Sequence, residues 1–96
     1  MVRQLINNNG NPAANQFIID TESAVYFQSY ESVICKIKGT SIVLSLDWDY
    51  SNTTRKYLYQ FLNRMGYYNY SSKKDILKAI KEGEITLKKV ESLNIV

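Results

Sequence analysis

Two carboxylates separated by one residue form the best acidic cluster of this sequence. Asp47 and Asp49 flank Trp48 at the end of an apolar stretch that is expected to be a strand. Carboxylates at i and i+2 of a strand face the same side and hold Mg²⁺ in some sites, where Asp20 or Glu31 would join them. In the alternative interpretation the pair ends the strand and places negative charge at the N-terminus of the following helix. We favour this structural interpretation.

The other requirements of catalysis are missing from the sequence. Histidine is absent, which removes the commonest general base, metal ligand and pH switch. The single cysteine, Cys35, lies in the middle of a predicted strand, so we expect a buried thiol and not a nucleophile. The four glycines are too scattered to form a phosphate-binding loop. We therefore predict a protein that is not an enzyme and has no cofactor or metal site.

Basic and aromatic residues are concentrated in the middle of the chain. The net charge is +3, with residues 1–50 net acidic and residues 51–82 net basic. Cations that neutralise phosphates, mixed with rings that stack on bases, are typical of proteins that bind single-stranded nucleic acid. Tyrosine and arginine also dominate protein interfaces, and a solvated helix face with tyrosines at the rim of the core would have the same composition. The candidate binding residues are Arg55, Lys56, Tyr59, Arg64, Tyr67, Tyr68, Tyr70, Lys73 and Lys74.

These residues need a scaffold, and four runs of alternating apolar and polar residues predict an antiparallel meander. The runs are residues 16–20, 24–30, 33–38 and 41–48, with short turns between them. Val33, Cys35 and Ile37 share one side of the third run, and the fourth run continues its apolar alternation to Trp48. One face of such a sheet is almost entirely apolar and must be covered.

Two predicted helices provide the cover, which makes the expected fold class α+β. Ser51, or Asp49 just before it, caps a helix at 52–65 that Gly66 ends, and Ser72 caps a helix at 73–82 that Gly83 ends. In the tail, 84–96, a strand at the sheet edge is favoured over a short helical turn. The first helix has an apolar stripe made of Thr54, Leu58, Phe61, Leu62 and Met65, and the second has one made of Ile76, Leu77 and Ile80. Leu58 and Phe61 are expected to pack against Phe27, Val33, Ile37 and Leu44 or their strand neighbours.

The chain as a whole is predicted to be one domain, residues 1–96, with an irregular arm at 1–14. Turn-forming residues cluster at 7–11, and Pro12 disfavours a regular strand or helix there. No secretory signal and no apolar run long enough for a membrane span is visible, so we expect a soluble, cytoplasmic protein.

Three segments of the chain resemble a family of small proteins from bacteriophages and mobile elements. They read N-Q-F at 15–17, Y-F-Q-S-Y-x-S-x-I at 26–34 and W-D-Y-S-x-T-T-x-K-Y at 48–57. The resemblance implies a phage or prophage origin, expression inside a host bacterium and an accessory role, and it carries no catalytic or binding residues. Within the second segment, the polar residues Gln28, Ser29 and Tyr30 are predicted to mark a site on the open face of the sheet.

The sequence and the resemblance together favour a non-enzymatic binding module. We expect a phage accessory protein that inhibits a host defence complex by occlusion, so that its partner is a host protein or a protein–nucleic acid complex. The alternative is a nucleic-acid-binding protein that uses the basic, tyrosine-rich helical region. No membrane partner is expected, and the oligomeric state stays open.

Overall fold

The computed structural model describes residues 1–89, which form six strands, two α-helices and one 3₁₀ turn. In chain order the elements are β1 (Val2–Ile6), β2 (Pro12–Asp20), β3 (Val25–Ser29), β4 (Ser32–Lys38), β5 (Ser41–Ser45), the 3₁₀ turn (Leu46–Asp49), α1 (Asn52–Arg64), α2 (Lys73–Lys81) and β6 (Ile85–Lys88). None of the helices in this part of the chain is long and apolar enough to cross a membrane.

The six strands form one sheet in which spatial order equals chain order. Strands β1 to β5 are an antiparallel meander joined by short turns. Strand β6 pairs with β5 in parallel, because the chain first passes through both helices and returns in the same direction. The α+β class, the two helices and a C-terminal edge strand are confirmed. The predicted count of about four strands was too low, and the sheet is mixed.

The prediction of an irregular N-terminal arm at 1–14 was wrong for most of that range. Val2 pairs with Ile19 and Ile6 pairs with Pro12, so β1 is an edge strand of the sheet. The Asn-rich segment is a tight turn in which the backbone N–H of Asn7 donates to the carbonyl of residue 11 at 2.8 Å. Pro12 is tolerated because it is the first residue of its strand, where a missing backbone donor costs little.

A β-bulge in β4 interrupts the side-chain alternation that the sequence predicts for that strand. The register shifts opposite Phe27 and Gln28, so the consecutive residues Ile34 and Cys35 are both buried in the main core. Val33 is moved to the opposite face, where it packs against a small cluster that includes Tyr26. Val33 is therefore not part of the core that contains Leu58 and Phe61, and its strand neighbour Ile34 is.

Strand β5 ends three residues earlier than predicted. The Oγ of Ser45 accepts a hydrogen bond from the backbone N–H of Asp47 at 3.1 Å, which starts the 3₁₀ turn. The turn buries Trp48 and leaves Leu46 exposed. Strand alternation does not apply in a 3₁₀ turn, so the predicted alignment of Leu46 with Ile42 and Leu44 was wrong, whereas Trp48 is buried in the same core as these two residues.

Both helices begin and end close to the predicted residues and cover the same face of the sheet. Ser51 and Ser72 cap α1 and α2 by accepting from the backbone N–H three residues further on. The ring of Phe61 stacks on that of Phe27 with centroids 5.5 Å apart. On α2, Leu77 is half-exposed, and Ala79 takes the predicted place of Leu77 in the core.

Candidate functional site

One cleft in the described part of the chain lies where the β3–β4 turn meets the 3₁₀ turn and the start of α1. It has a volume of about 670 Å³. Its walls come from β2, from both sides of the β3–β4 turn, from the 3₁₀ turn and from the first turns of α1. The lining residues are Asn15, Ser29, Tyr30, Glu31, Ser32, Ile34, Asp47, Tyr50 and Thr54.

A strained tyrosine forms one edge of this cleft. Tyr30 is the first central residue of the two-residue turn between β3 and β4 and has φ of 56°. The β4–β5 turn has the same length, and its first central residue, with φ of 60°, is Gly39. Glycine is the preferred residue at this position because a side chain clashes with the backbone in the left-handed region. The β3–β4 turn therefore retains a tyrosine where folding alone favours glycine.

A second left-handed residue lies directly beside the first. Asn15 has φ of 63° within β2, and its carbonyl accepts a hydrogen bond from the backbone N–H of Tyr30 at 2.7 Å. These two are the non-glycine residues with positive φ in residues 1–89, and both line the cleft. Backbone strain of this kind is concentrated at functional sites.

This strain predicts an unusual order of stability for variants of Tyr30. Both Tyr30→Gly and Tyr30→Ala remove the ring, but alanine keeps the left-handed strain. We expect the glycine variant to be more stable by about 1 kcal/mol, measured by urea denaturation. Glu31, the next residue in the turn, does not have a positive φ. At Glu31 the alanine variant should be at least as stable as the glycine variant. If the alanine variant were also the more stable one at Tyr30, the strain argument would be contradicted.

Hydroxyl groups connect the floor of the cleft to the first helix. The Oγ of Ser29 and the Oγ1 of Thr54 are hydrogen-bonded at 3.1 Å and are buried, and the Oγ of Ser51 donates to the same Thr54 oxygen at 3.2 Å. Beside Ser29, the fully buried Gln16 has an Oε1 that accepts no hydrogen bond within residues 1–89. A buried acceptor without a partner lowers stability, so this end of the sheet is not built for stability alone.

The rim of the cleft is aromatic and acidic. Tyr30 is 47% exposed and Tyr50 is 74% exposed, which places two large rings in solvent at the opening. Glu31 and Asp47 supply carboxylates, and within residues 1–89 no lysine or arginine lines the cleft. A phosphate group would be repelled here, and a basic side chain of a protein would be attracted.

The predicted acidic pair does not form a joint site. Asp47 lines the cleft, whereas Asp49 forms ion pairs with the Arg55 guanidinium and, at 2.8 Å, with the Lys73 ammonium. The hydrogen bond from Lys73, followed by that from Arg55, lowers the pKa of Asp49 below its ordinary value. No cluster of three or more possible metal ligands occurs in residues 1–89. Cys35 is fully buried, and this burial raises the pKa of its thiol.

The ion pairs of Asp49 predict a pH-dependent contribution to stability. Because its pKa is lowered on folding, Asp49 stabilises the protein above the ordinary pKa of 3.8, and this contribution is lost as the pH falls through the lower folded pKa. Asp49→Asn should therefore lower the free energy of unfolding at pH 7 by about 1 kcal/mol or less. The difference from the wild type should vanish in acid, as measured by thermal unfolding across pH. Asp47→Asn is the control, and a constant difference at all pH values would contradict this role.

Most of the predicted helical candidates are held by intramolecular contacts. Arg55 and Lys73 share Asp49, so that among the predicted candidates Lys56, Arg64 and Lys74 are the exposed cations without an acidic partner in residues 1–89. Arg55 and Lys56 line a shallow hollow of about 530 Å³ with Tyr59. Arg64, Tyr68 and Lys74 lie outside this hollow.

The tyrosines of this region serve mainly to pack the rim of the core. Tyr67 stacks on Tyr70 with centroids 6.1 Å apart, and both pack against the core. The hydroxyl of Tyr70 donates to Glu84 at 2.8 Å. Burial, followed by this bond, raises the pKa of Tyr70 to about 12. The hydroxyl of Tyr59 is buried without a hydrogen-bond partner in residues 1–89, and burial raises its pKa. Tyr68, which is 76% exposed, is the tyrosine of this group that is free to stack on a base.

The polar residues predicted to mark the open sheet face are divided between two places. Gln28 alternates with Phe27 and lies on the face away from the helices, where its Nε2 donates to the carbonyl of Tyr30 at 2.8 Å. Ser29 and Tyr30 line the cleft on the helix side. The cleft thus contains Ser29 and Tyr30 of the predicted polar site, together with Glu31 and Asp47, which the sequence had suggested only as metal ligands, and Asn15, Ser32, Ile34, Tyr50 and Thr54 were not predicted as site residues. The three segments that carry the resemblance were the available signal, because each contributes to the cleft.

The fold and the cleft define a small α+β domain with a recessed, aromatic and acidic surface. Residues 1–79 match the model of a family of unknown function, DUF8033, and the chain belongs to this family. The matched range includes every residue that lines the cleft. No curated protein and no solved structure matches the chain.

Proposed function

We propose that this protein is a non-enzymatic binding module and that the cleft at the β3–β4 turn holds a protein partner. One observation carries the proposal: three segments that are distant in sequence converge on one recess, and they place two exposed tyrosines on its rim. Tyr50 follows the 3₁₀ turn, and Tyr30 is held in a left-handed conformation. Exposed tyrosines in front of a recess are typical anchors of protein interfaces.

The charge of the rim favours a particular kind of partner. Glu31 and Asp47 line the cleft with carboxylates, and within residues 1–89 no lysine or arginine lines it. Phosphates are therefore disfavoured at the cleft, and the complementary surface presents lysine or arginine next to an apolar group that fits against the two rings. A stable interface covers about 800 Å² on each partner, so the cleft would be the centre of the contact and the helical surface part of its rim.

We further propose that the partner is a host protein in a defence complex and that the module inhibits it by occlusion in the bacterial cytoplasm. This part of the proposal rests on the resemblance to small proteins of bacteriophages and mobile elements. A domain of this size can block an active or assembly surface without chemistry of its own, because binding energy alone keeps the surface covered.

A capture experiment with paired variants tests the proposal. The tagged protein is incubated with lysate of the host bacterium, with and without nuclease, and the retained proteins are compared. We expect one protein partner that survives nuclease treatment, that Tyr68→Ala retains and that Tyr50→Ala loses. A partner that nuclease removes, or that Tyr50→Ala retains at the wild-type level, would refute the assignment of the cleft.

A further inference from the structure

The face of the sheet that the helices leave uncovered carries a second charged surface, which sequence reasoning did not find. The strands contain three lysines, Lys36, Lys38 and Lys88, each next to a core residue along its strand. Because side chains alternate between the faces of a strand, all three lie on the face opposite the helices. We call this set the sheet-face lysines.

The sheet-face lysines surround one hollow. It measures about 310 Å³ and is lined by these three residues together with Ser41, Val43 and Thr86. Its other polar groups are hydroxyls, which donate hydrogen bonds to phosphate oxygens as readily as lysines do. Val43 is its single apolar lining residue, so no aromatic ring is available there to read or stack a base.

No acidic side chain in the described strands offsets this charge. Asp20 is the one acidic residue in the six strands, and it pairs with Arg3 at 3.1 Å at the other end of the sheet. Within residues 1–89 the sheet-face lysines form no ion pair. The Nζ of Lys36 lies 5.6 Å from the centre of the Tyr26 ring. Positive potential therefore accumulates at the edge formed by β4, β5 and β6.

The register places the three lysines in a diagonal row. Lys38 is level with Ser41 on β5, Lys36 is level with Val43, and Lys88 is level with Ser45 from the far side. Successive steps along a strand on one face are about 7 Å, and neighbouring strands are about 4.8 Å apart. The charges thus extend along a line across three strands and do not converge on one point, which fits a chain of phosphates better than a single anion.

We propose that the sheet-face lysines bind the phosphodiester backbone of a single-stranded nucleic acid, independently of base sequence. The ammonium groups displace counterions from successive phosphates, and the hydroxyls of Ser41 and Thr86 hold phosphate oxygens. The cleft opens on the helix side and this hollow lies on the opposite face. The module can therefore contact nucleic acid while a protein occupies the cleft, and this proposal does not depend on the proposed function.

Fluorescence anisotropy with a labelled oligothymidylate tests the proposal. The affinity is measured between about 50 mM and 200 mM salt for the wild type. It is then measured for the triple variant Lys36→Gln/Lys38→Gln/Lys88→Gln and for the control Lys56→Gln/Arg64→Gln/Lys74→Gln. Both variants remove three positive charges, so they have the same net charge. Only the first changes the sheet face.

We expect the logarithm of the wild-type association constant to fall with the logarithm of salt concentration with a slope of about −2, since each neutralised phosphate contributes about −0.7. The triple variant should lose this dependence and the control should keep it. If the triple variant fails to fold, Lys38→Gln/Lys88→Gln, which changes two exposed residues, should leave a slope of about −0.7. Absence of binding at low salt, or an equal loss in both triple variants, would overturn the proposal.

Discussion

Replacing Phe61 with alanine should lower the free energy of unfolding by about 3–5 kcal/mol. Phe61 is fully buried on α1, and its ring stacks on Phe27 in the middle of the sheet. Truncation removes the contact between the helix layer and the sheet and leaves a cavity that neighbours such as Leu58 and Leu62, also fully buried, cannot fill without moving. The loss is a large part of the roughly 5–15 kcal/mol that holds a small domain together.

Urea denaturation followed by far-ultraviolet circular dichroism measures this effect. Leu77→Ala is the matched control, because Leu77 is also an apolar helical residue but is 50% exposed on α2. Leu77→Ala should lower the free energy of unfolding by no more than about 0.5 kcal/mol. An unchanged midpoint for Phe61→Ala, or equal losses for both variants, would show that α1 does not pack on the sheet through this residue.

Replacing Tyr50 with alanine should weaken binding of the protein partner by about 30-fold or more, which corresponds to about 2 kcal/mol. Tyr50 is 74% exposed at the rim of the cleft, so its ring contributes little to the fold and is available to a partner. A large ring that becomes buried on binding is the typical hot spot of an interface, and its removal acts mainly on the dissociation rate.

Tyr68→Ala is the control for this second effect. Tyr68 is 76% exposed and lies outside the cleft, so the two variants remove the same side chain at nearly the same exposure. Surface plasmon resonance with the captured partner should show wild-type affinity for Tyr68→Ala. Thermal unfolding should show that both variants are folded. If Tyr68→Ala weakened binding more than Tyr50→Ala, the interface would lie on the segment between α1 and α2 and not at the cleft.

The helices could be predicted from sequence almost completely, because their signals are local. Ser51 and Ser72 cap them through their own hydroxyls, and Gly66 and Gly83 end them with φ of 94° and 79°. Each signal acts within four residues, so the sequence contains the whole interaction. The turn at Gly39 was recognisable for the same reason.

Two of the errors in the sheet concern interactions between distant residues. The bulge that turns Ile34 inward exists because β4 pairs with β3, and the strand at Val2–Ile6 exists because β2 offers it an edge. Local propensity does not contain these pairings, so period-two alternation gave the wrong face for Val33 and no strand for the N-terminus.

The candidate site was missed for a different reason. Composition directs attention to clusters of charge and aromatic residues, and Arg55 and Lys73 belonged to such a cluster. Their charges are satisfied by Asp49, a partner that the sequence does not reveal. The cleft is instead marked by the left-handed backbone of Asn15 and Tyr30, a conformation that the residue types alone do not predict. Glycine would have signalled the turn, and the tyrosine that occupies its place is why the turn is a candidate site.

The parallel pairing of β6 with β5 determines the order in which the molecule can be completed during translation. The first five strands pair with chain neighbours and can form as they leave the ribosome, whereas Ile42 must wait for Ile85. Roughly 40 residues separate the two strands, a delay of about 2–8 s at ordinary rates of synthesis. Throughout this delay the edge of β5 exposes unpaired backbone N–H and C=O groups, next to the apolar side chains of the strands that are already synthesised. Until β6 is added, the nascent chain can therefore pair through this edge with another copy of itself.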